Sequence, residues 1–424
     1  MNVLIVNTYD RGGAANACLR LHKGLLESGV DSSVLLLHKQ KEISNTYKFQ
    51  LNNNKIRIKN PLNFFKKNKN SQLKIKQSLK QKFLKNRKKE LEWFSFPDSN
   101  FDITTSKLYE KADVVNLHWV ANFLDYNSFF KKNTKPVVWT LHDMNPFSGG
   151  EHYEEQHLGL DDNGFPKKRK ISSIEELIFK QVLDYKKQAL KNFDDLHIVT
   201  LSKWMSKEVK KSSILNRFPS YRIPNGLNPE LFKYHDKKQC RNILGLPENK
   251  KIILFVSDSN SNARKGLVYL QKAYAELKLE DVILCTVGNN NDEITQNHNV
   301  INLGVIDKVD VMSKVYSAAD VFVIPSLIDN LPNTVLESLM CGTPVIGFPV
   351  GGIPDMIEHG VNGLLTKEVS VSSLKQTIKS FFDTYQNFNQ QRIRANAVEK
   401  YSLNKQTKAY IGLFSSILKN NSKV

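Results

Sequence analysis

Cysteine is scarce in this 424-residue sequence, and the four that occur, Cys18, Cys240, Cys285 and Cys341, form no CxxC pair. Their scatter argues against a zinc site or a disulfide framework and fits a reducing cytosol. Long hydrophobic runs are missing too: no stretch approaches the ~18 consecutive apolar residues of a membrane-spanning helix. The opening MNVLIVNTYD enters a strand-like run at once, with no basic n-region and no long apolar h-region, so no signal peptide is expected. Arginine is rare, at 11 against 50 lysines, and no nucleic-acid recognition motif accompanies the positive charge. Nucleic acid is therefore set aside as a partner.

Acidic residues are absent from one long segment. Between positions 43 and 89 there are 15 Lys or Arg and no Asp or Glu, so of a formal charge of +19 only 19 − 15 = +4 belongs to the other 377 residues. Within that segment Ile75, Leu79 and Phe83 recur at four-residue spacing among Lys74, Lys76, Lys80, Lys82, Lys85, Lys88 and Lys89. An apolar stripe in a lysine field is the pattern of a helix lying on an anionic membrane surface, and Phe64 and Phe65 beside Lys66 and Lys67 add anchoring. The alternative is a solvated insertion of biased composition. The expectation is a basic insertion over about 43–92 that contacts an anionic membrane.

What is present elsewhere is alternation. At this length two domains of roughly 200 residues are expected. Strand-like runs fall at 3–6, 34–37, 113–117, 136–141 and 197–202, then RIPNG at 222–226 gives a turn suited to an interdomain connection. Strands resume at 251–256, 282–287, 300–303, 321–324 and 343–347, with helical patterns between them. An amphipathic helix from about 401 to 418 (Tyr410, Leu413, Phe414, Ile417) closes the chain. The pattern predicts an α/β protein of two doubly wound, Rossmann-like domains facing across a cleft: 1–225, 226–400, and a closing helix over 401–424.

The stretch 325–355, PSLIDNLPNTVLESLMCGTPVIGFPVGGIPD, concentrates the site signals. A strand leads into a turn and a helix over 333–340, and a second strand leads into the turn at Gly351 and Gly352. Both turns sit at carboxyl ends of strands, where open parallel sheets bind ligands. A helix N-terminus suits phosphate and a carboxylate two turns away suits a sugar hydroxyl. Asp329 and Glu337, on either side of the helix start, thus mark a nucleotide-sugar pocket. Gly12 and Gly13, between a strand and a helix, either admit a phosphate or form a plain tight turn. Arg264 and Lys265 before Gly266 either neutralise a diphosphate or belong to an exposed basic turn. His118 and Trp119, and His142 and Asp143, follow two strand ends, as structural caps or as functional groups.

These residues resemble the GT-B-fold glycosyltransferases of family 4, retaining enzymes that use nucleotide sugars, and within them the branch acting in colanic-acid, capsule and O-antigen assembly. The resemblance is carried by TYDRGGAAN at 8–16, NLHWV at 116–120, WTLHDMNPFSGG at 139–150, RIPNG at 222–226, RKG at 264–266 and DNLPNTVLESLMCGTPVIGFPVGGIPD at 329–355, and it runs essentially end to end. It implies that Gly13, with Gly12 beside it, lies by the donor phosphates and the reaction centre. His142 would contact the transferring sugar, with His118 and Trp119 on the acceptor side. Lys265 and Arg264 would hold the diphosphate together with the backbone of Asn333, Thr334 and Val335. Glu337 would bind the ribose, and Asp329 would face the donor sugar. The C-terminal helix would pack back toward the N-terminal domain. No metal or other cofactor, and no protein nucleophile, is implied. The sequence departs from the pattern at Asp329, where the E-x7-E motif has Glu, at Asn260, where many relatives have arginine, and after Gly150, where relatives carry cysteines.

The expected function is a retaining glycosyltransferase moving a sugar from a nucleotide-sugar donor to a lipid-linked saccharide, in the cytoplasm and peripheral to the inner membrane face. The alternatives are a GT-B-fold epimerase or phosphorylase, and a non-enzymatic membrane or nucleic-acid adaptor acting through 43–89.

Overall fold

The computed structural model describes residues 1–50, 77–88, 91–154, 156–259, 262–289 and 299–421. Its first half contains β1 (Asn2–Tyr9), β2 (Asp31–His38), β3 (Thr46–Lys48), β4 (Val114–Leu117), β5 (Val137–Leu141), the hairpin β6 (His157–Leu160) and β7 (Pro166–Lys168), then β8 (Leu196–Thr200) and β9 (Ser220–Arg222). The second half contains β10 (Lys251–Ser259), β11 (Val282–Asn289), β12 (Val300–Asn302), β13 (Val321–Ile324), β14 (Val345–Gly347) and β15 (Gly363–Leu365). The helices of the first half are α1 (Gly13–Glu27), α2 (Gln77–Asn86), α3 (Lys107–Lys111), α4 (Tyr126–Lys132), α5 (Ser173–Leu190) and α6 (Lys203–Lys211). Those of the second are α7 (Lys237–Leu244), α8 (Leu267–Leu277), α9 (Val309–Ala318), α10 (Asn333–Met340), α11 (Val371–Asp383) and α12 (Gln390–Tyr401), with α13 (Leu403–Asn421) last.

Two parallel sheets result, ordered β3-β2-β1-β4-β5-β8-β9 and β12-β11-β10-β13-β14-β15. The central strands read as near-continuous apolar runs, such as VVWTL in β5, interrupted by Thr140, and VFVI in β13, because helices cover both faces. In each sheet the order reverses beside the first strand, between β1 and β4 and between β10 and β13. A crevice opens there at the carboxyl edge. The two halves therefore adopt the doubly wound α/β architecture the sequence predicts.

The chain crosses back at its end. One helix is expected over 401–418, but Ser402 takes extended backbone (φ −65°, ψ 144°) and separates α12 from α13. At that break Leu227 N–H donates to the Tyr401 carbonyl (2.9 Å) and Leu403 N–H to the Leu227 carbonyl (2.8 Å). Beyond it, Tyr410, Leu413, Phe414 and Ile417 of α13 bury against Val3, Ile5, Leu21 and Leu25 of the first domain. At roughly 1.5–3 kcal/mol for each fully buried side chain, this stripe fixes the helix on that domain.

The basic insertion requires a correction. The stripe expected to face a membrane is covered by the protein itself: Leu79 and Phe83 pack with Phe94, Ile178 and Val182. The Phe83 and Phe94 rings lie 4.6 Å apart, Lys80 pairs with Asp98, and Arg87 pairs with Glu151 at 2.6 Å. Apolar side chains four residues apart suit a protein core as well as a bilayer, and here aromatic residues after the insertion supply that core. Lys82, Lys85 and Lys88 remain exposed. Ile75, Phe64 and Phe65 lie outside the described residues.

Candidate active site

The first turn of α10 meets the first turn of α1 across the cleft. Neither helix has a side-chain cap, because Pro332 and Gly12 occupy the N-cap positions. Their first N–H groups are thus left without the usual side-chain oxygen, at the positive end of each helix dipole. Asn333 joins the two turns, its Nδ2 donating to the Gly13 carbonyl at 2.9 Å. Thr334 is half-buried and Val335 buried in the same turn. Further along each helix, Arg20 Nη2 reaches Glu337 Oε1 at 2.8 Å, and the Tyr316 hydroxyl donates to Glu337 Oε2 at 3.1 Å. Both Glu337 oxygens are therefore engaged, one of them by the opposite domain.

Asp329, Arg264 and Lys265 form one ion network. Lys265 Nζ lies 2.7 Å and Arg264 Nη1 3.2 Å from the same Asp329 oxygen, and Arg264 Nε reaches Glu92 Oε1 of the first domain at 2.6 Å. The Tyr153 ring underlies the guanidinium, 5.0 Å away. Burial alone would raise the Asp329 carboxyl, but the Lys265 and Arg264 charges outweigh it and hold it below the usual carboxylate range. The loop carrying the two cations sits tight against β13. Gly266 has φ +73°, and a Cβ there would lie 1.8 Å from the Pro325 carbonyl oxygen, so only glycine fits.

The two histidines touch, with 2.8 Å between His118 Nδ1 and His142 Nε2. Their tautomers follow from the neighbouring amide. Asn116 Nδ2 donates to the Val138 carbonyl (2.9 Å), which leaves Asn116 Oδ1 to accept from His118 Nε2–H at 3.0 Å. Neutral His118 then accepts at Nδ1 from His142 Nε2–H, and His142 keeps a lone pair on Nδ1. Burial holds both rings neutral: His118 is pushed well below the usual histidine range by burial and by His142, and His142 is pushed down to about 4 by burial against the opposing pull of Asp143.

Asp143 organises the adjoining loop. Its Oδ2 accepts from Trp119 Nε1 (2.8 Å) and pairs with His152 Nδ1 (2.6 Å), while Oδ1 accepts from Asn145 N–H (2.9 Å). Lys186 of α5, fully buried, donates to the Asn145 and Ser148 carbonyls, the latter at 2.9 Å. Asn330 ties the domains together here. Its Nδ2 donates to the Leu141 (3.0 Å) and His142 (3.2 Å) carbonyls, and its Oδ1 accepts from Ser202 Oγ at 2.7 Å.

The structure thus groups the sequence-predicted residues into three clusters: Gly12, Gly13 and Asn333–Val335; Asp329 with Arg264 and Lys265; His118 and Trp119 with His142. Glu337 lies on α10 but pairs away from Asp329. Sequence reading missed Arg20, Glu92, Tyr153 and Asn330. Arg20 looks like any cation on a helix, whereas Asn330 stood inside the DNLPN string and Glu92 just after the acid-free run.

Residues 236–400 match the family model described as Glycosyl transferases group 1. An uncharacterized glycosyltransferase of Methanocaldococcus jannaschii is 27% identical over 275 residues, covering 60% of this chain and 62% of the relative. N-acetyl-alpha-D-glucosaminyl L-malate synthase of Bacillus anthracis is 26% identical over 208 residues, 47% of this chain and 54% of the relative. The chain thus matches less than two thirds of the length of either curated relative. Sucrose-phosphate synthase of Thermosynechococcus elongatus superposes with a TM-score of 0.70 at 16% identity, covering 99% of both chains. Anabaena HepE in complex with UDP and glucose superposes with a TM-score of 0.64 at 17% identity, covering 98% of this chain and 100% of its own. The shared fold is GT-B, and the segment that matches the family model lies in its C-terminal half.

Proposed function

We propose that the chain is a retaining glycosyltransferase that moves a sugar from a nucleotide-sugar donor to a lipid-linked saccharide in bacterial surface polysaccharide synthesis. The observation that carries this reading is the meeting of two uncapped helix starts at Gly13 and Asn333, flanked by Lys265, Arg264 and Glu337. The donor diphosphate takes the N–H groups of Asn333 and Thr334, with that of Val335 turning to it from the Pro332 carbonyl (3.1 Å), and Lys265 and Arg264 exchange carboxylate partners for its oxygens. Glu337, on giving up Arg20, accepts from the ribose hydroxyls. Asp329, once released, faces the donor sugar. His142 accepts a sugar hydroxyl at its free Nδ1.

As the glycosidic bond breaks, negative charge builds on the diphosphate and oxocarbenium character on the sugar. The cations and the two helix dipoles stabilise the former. The departing diphosphate takes the acceptor proton on the same face of the sugar, so no protein nucleophile is needed. Closure of the cleft keeps out water, which competes as an acceptor. HepE, captured with UDP and glucose in the same fold, supports a uridine nucleotide among the first donors to test. The exposed Lys82, Lys85 and Lys88 support a salt-sensitive contact with anionic lipid at the cytoplasmic membrane face, without insertion of the covered stripe. Among the described residues no helix is long and apolar enough to cross a membrane.

The test is thermal unfolding of the full chain against UDP-, GDP- and ADP-sugars, because a ligand of the native state raises stability by mass action. Mass analysis of products with and without acceptor then follows. Stabilisation by one donor class with acceptor-dependent transfer is the expected result. No stabilisation by any donor would sink the reading, and sugar or sugar phosphate released without acceptor would move it to a phosphorylase or epimerase.

A further inference from the structure

The carboxyl edge of the first sheet carries an aromatic cluster that the donor chemistry leaves unused. Tyr9 ends β1, His38 ends β2 and Trp119 lies just past β4, so three neighbouring strands deliver rings to one place. Tyr9 stacks on His38 with centroids 4.9 Å apart and meets Trp119 at 5.8 Å. Trp93, arriving after the basic insertion, stands edge-on to Tyr9 at 6.4 Å and to Trp119 at 6.0 Å. Yet Trp93 is 58% exposed. An indole held edge-on between two rings but left open to solvent, within a cluster of four, offers an aromatic ligand surface.

Its neighbours place this surface at the mouth of the cleft. Glu92, adjacent in sequence, pairs with Arg264 of the donor-side network, and Trp119 follows His118, whose ring bonds His142. A second substrate reaching a sugar held by His142 and Asp329 passes here. The rim is polar, with Arg11 and His38 exposed. Asp10 accepts from the backbone N–H groups of Gln40 and Lys41 and so ties the loop after β2 to the cluster. Apolar ring faces inside a polar rim match a pyranose, which has a C–H face and a hydroxyl edge, better than they match an acyl chain.

We propose that Tyr9, Trp93 and Trp119 form an acceptor subsite that stacks on the C–H face of a pyranose ring. The proposal rests on the transferase reading of the donor site, and the two are tested separately. The full chain is applied to a glycan array of neutral, amino and uronic-acid pyranosides, and the best-retained glycan is titrated by tryptophan fluorescence. Trp93→Ala and Tyr9→Ala each weaken that glycan by about tenfold or more, Trp93→Phe by much less, and the thermal shift given by nucleotide sugars is unchanged. Wild-type protein that retains no glycan, or Trp93→Ala protein that binds like wild type, overturns the subsite. So does Trp93-dependent binding to phosphatidylcholine vesicles, which would assign the rings to lipid. A chain that binds nucleotide sugars but ignores every glycan keeps the transferase reading and loses this subsite. Glycan binding through Trp93 with no response to nucleotide sugars does the reverse.

Discussion

Arg20 on α1 and Glu337 on α10 form a 2.8 Å ion pair between the two domains, and one nitrogen of that guanidinium, Nη1, is buried without a hydrogen-bond partner among the described residues. An orphaned N–H costs on the order of 1–3 kcal/mol and offsets much of what the pair gains. Arg20→Ala is therefore expected to change stability by no more than about 1 kcal/mol in urea unfolding. It also frees Glu337 for a ribose, so nucleotide-sugar affinity should tighten severalfold in a calorimetric titration. Weaker binding would instead place Arg20 on the donor.

Glu337→Ala and Lys265→Ala remove charge-assisted contacts to the donor, each worth ~1.5–3 kcal/mol, so each should lower kcat/KM by about tenfold or more. Steady-state transfer assays measure this. Full activity in both variants would dismantle the site assignment.

Asp329 is a different case, because its carboxylate holds two cations in the unliganded protein. Asp329→Asn takes the carboxylate from Lys265 and leaves Arg264 with Glu92 and the Ile328 carbonyl. Breaking a buried pair from one side costs roughly 3–5 kcal/mol, and the partial exposure of Lys265 places the expected loss at the lower end of that range. Denaturant unfolding reads the loss, and Lys265→Met in the same background should restore part of it.

The architecture was legible because the strands are apolar on both faces and the helices between them are amphipathic, so alternation alone sets two doubly wound sheets. The run Asn333–Met340 matches the helix expected over 333–340 residue for residue, bounded by Pro332 before it and Gly342 after it. The contacts between domains were not legible. Arg20 to Glu337 and Glu92 to Arg264 join residues 317 and 172 positions apart, and no local spacing marks such pairs. The stripe of Leu79 and Phe83 failed for another reason. Periodicity shows that a helix has an apolar face without showing what covers it, and Phe94 and Ile178 do so here.

The histidine pair predicts a pH dependence of stability. His142 titrates near 6.5 when unfolded and near 4 when folded, so between those values the unfolded chain binds more protons. Its contribution is present in full above pH 6.5 and is lost as pH falls toward 4. His118, shifted in the same direction, adds to the loss. Asp329 and Asp143 are held below the usual carboxylate range, so their contributions persist through this window and fade only below it. Thermal unfolding should decline between pH 6.5 and 4 in wild-type protein and less steeply in a His118→Gln, His142→Gln double variant. Parallel curves would mean that the rings are not buried neutral.

Asn330 offers the sharpest test of how the domains position His142. Its side chain is 1% exposed and satisfies three groups of the first domain, donating to two carbonyls and accepting from Ser202. Asn330→Ala removes all three bonds and should cost roughly 2–4 kcal/mol in urea unfolding. Asn330→Asp keeps the shape but sets a carboxylate against the Leu141 and His142 carbonyls, so its loss at pH 7 should be larger. The repulsion raises the pKa of the new carboxyl in the folded state, and a protonated carboxyl regains one donated bond. The stability gap between Asn330→Asp and wild type should therefore narrow as pH falls from 7 to 5, while the gap for Asn330→Ala stays constant. A gap for Asn330→Asp that holds constant with pH would show that its side chain does not face those carbonyls.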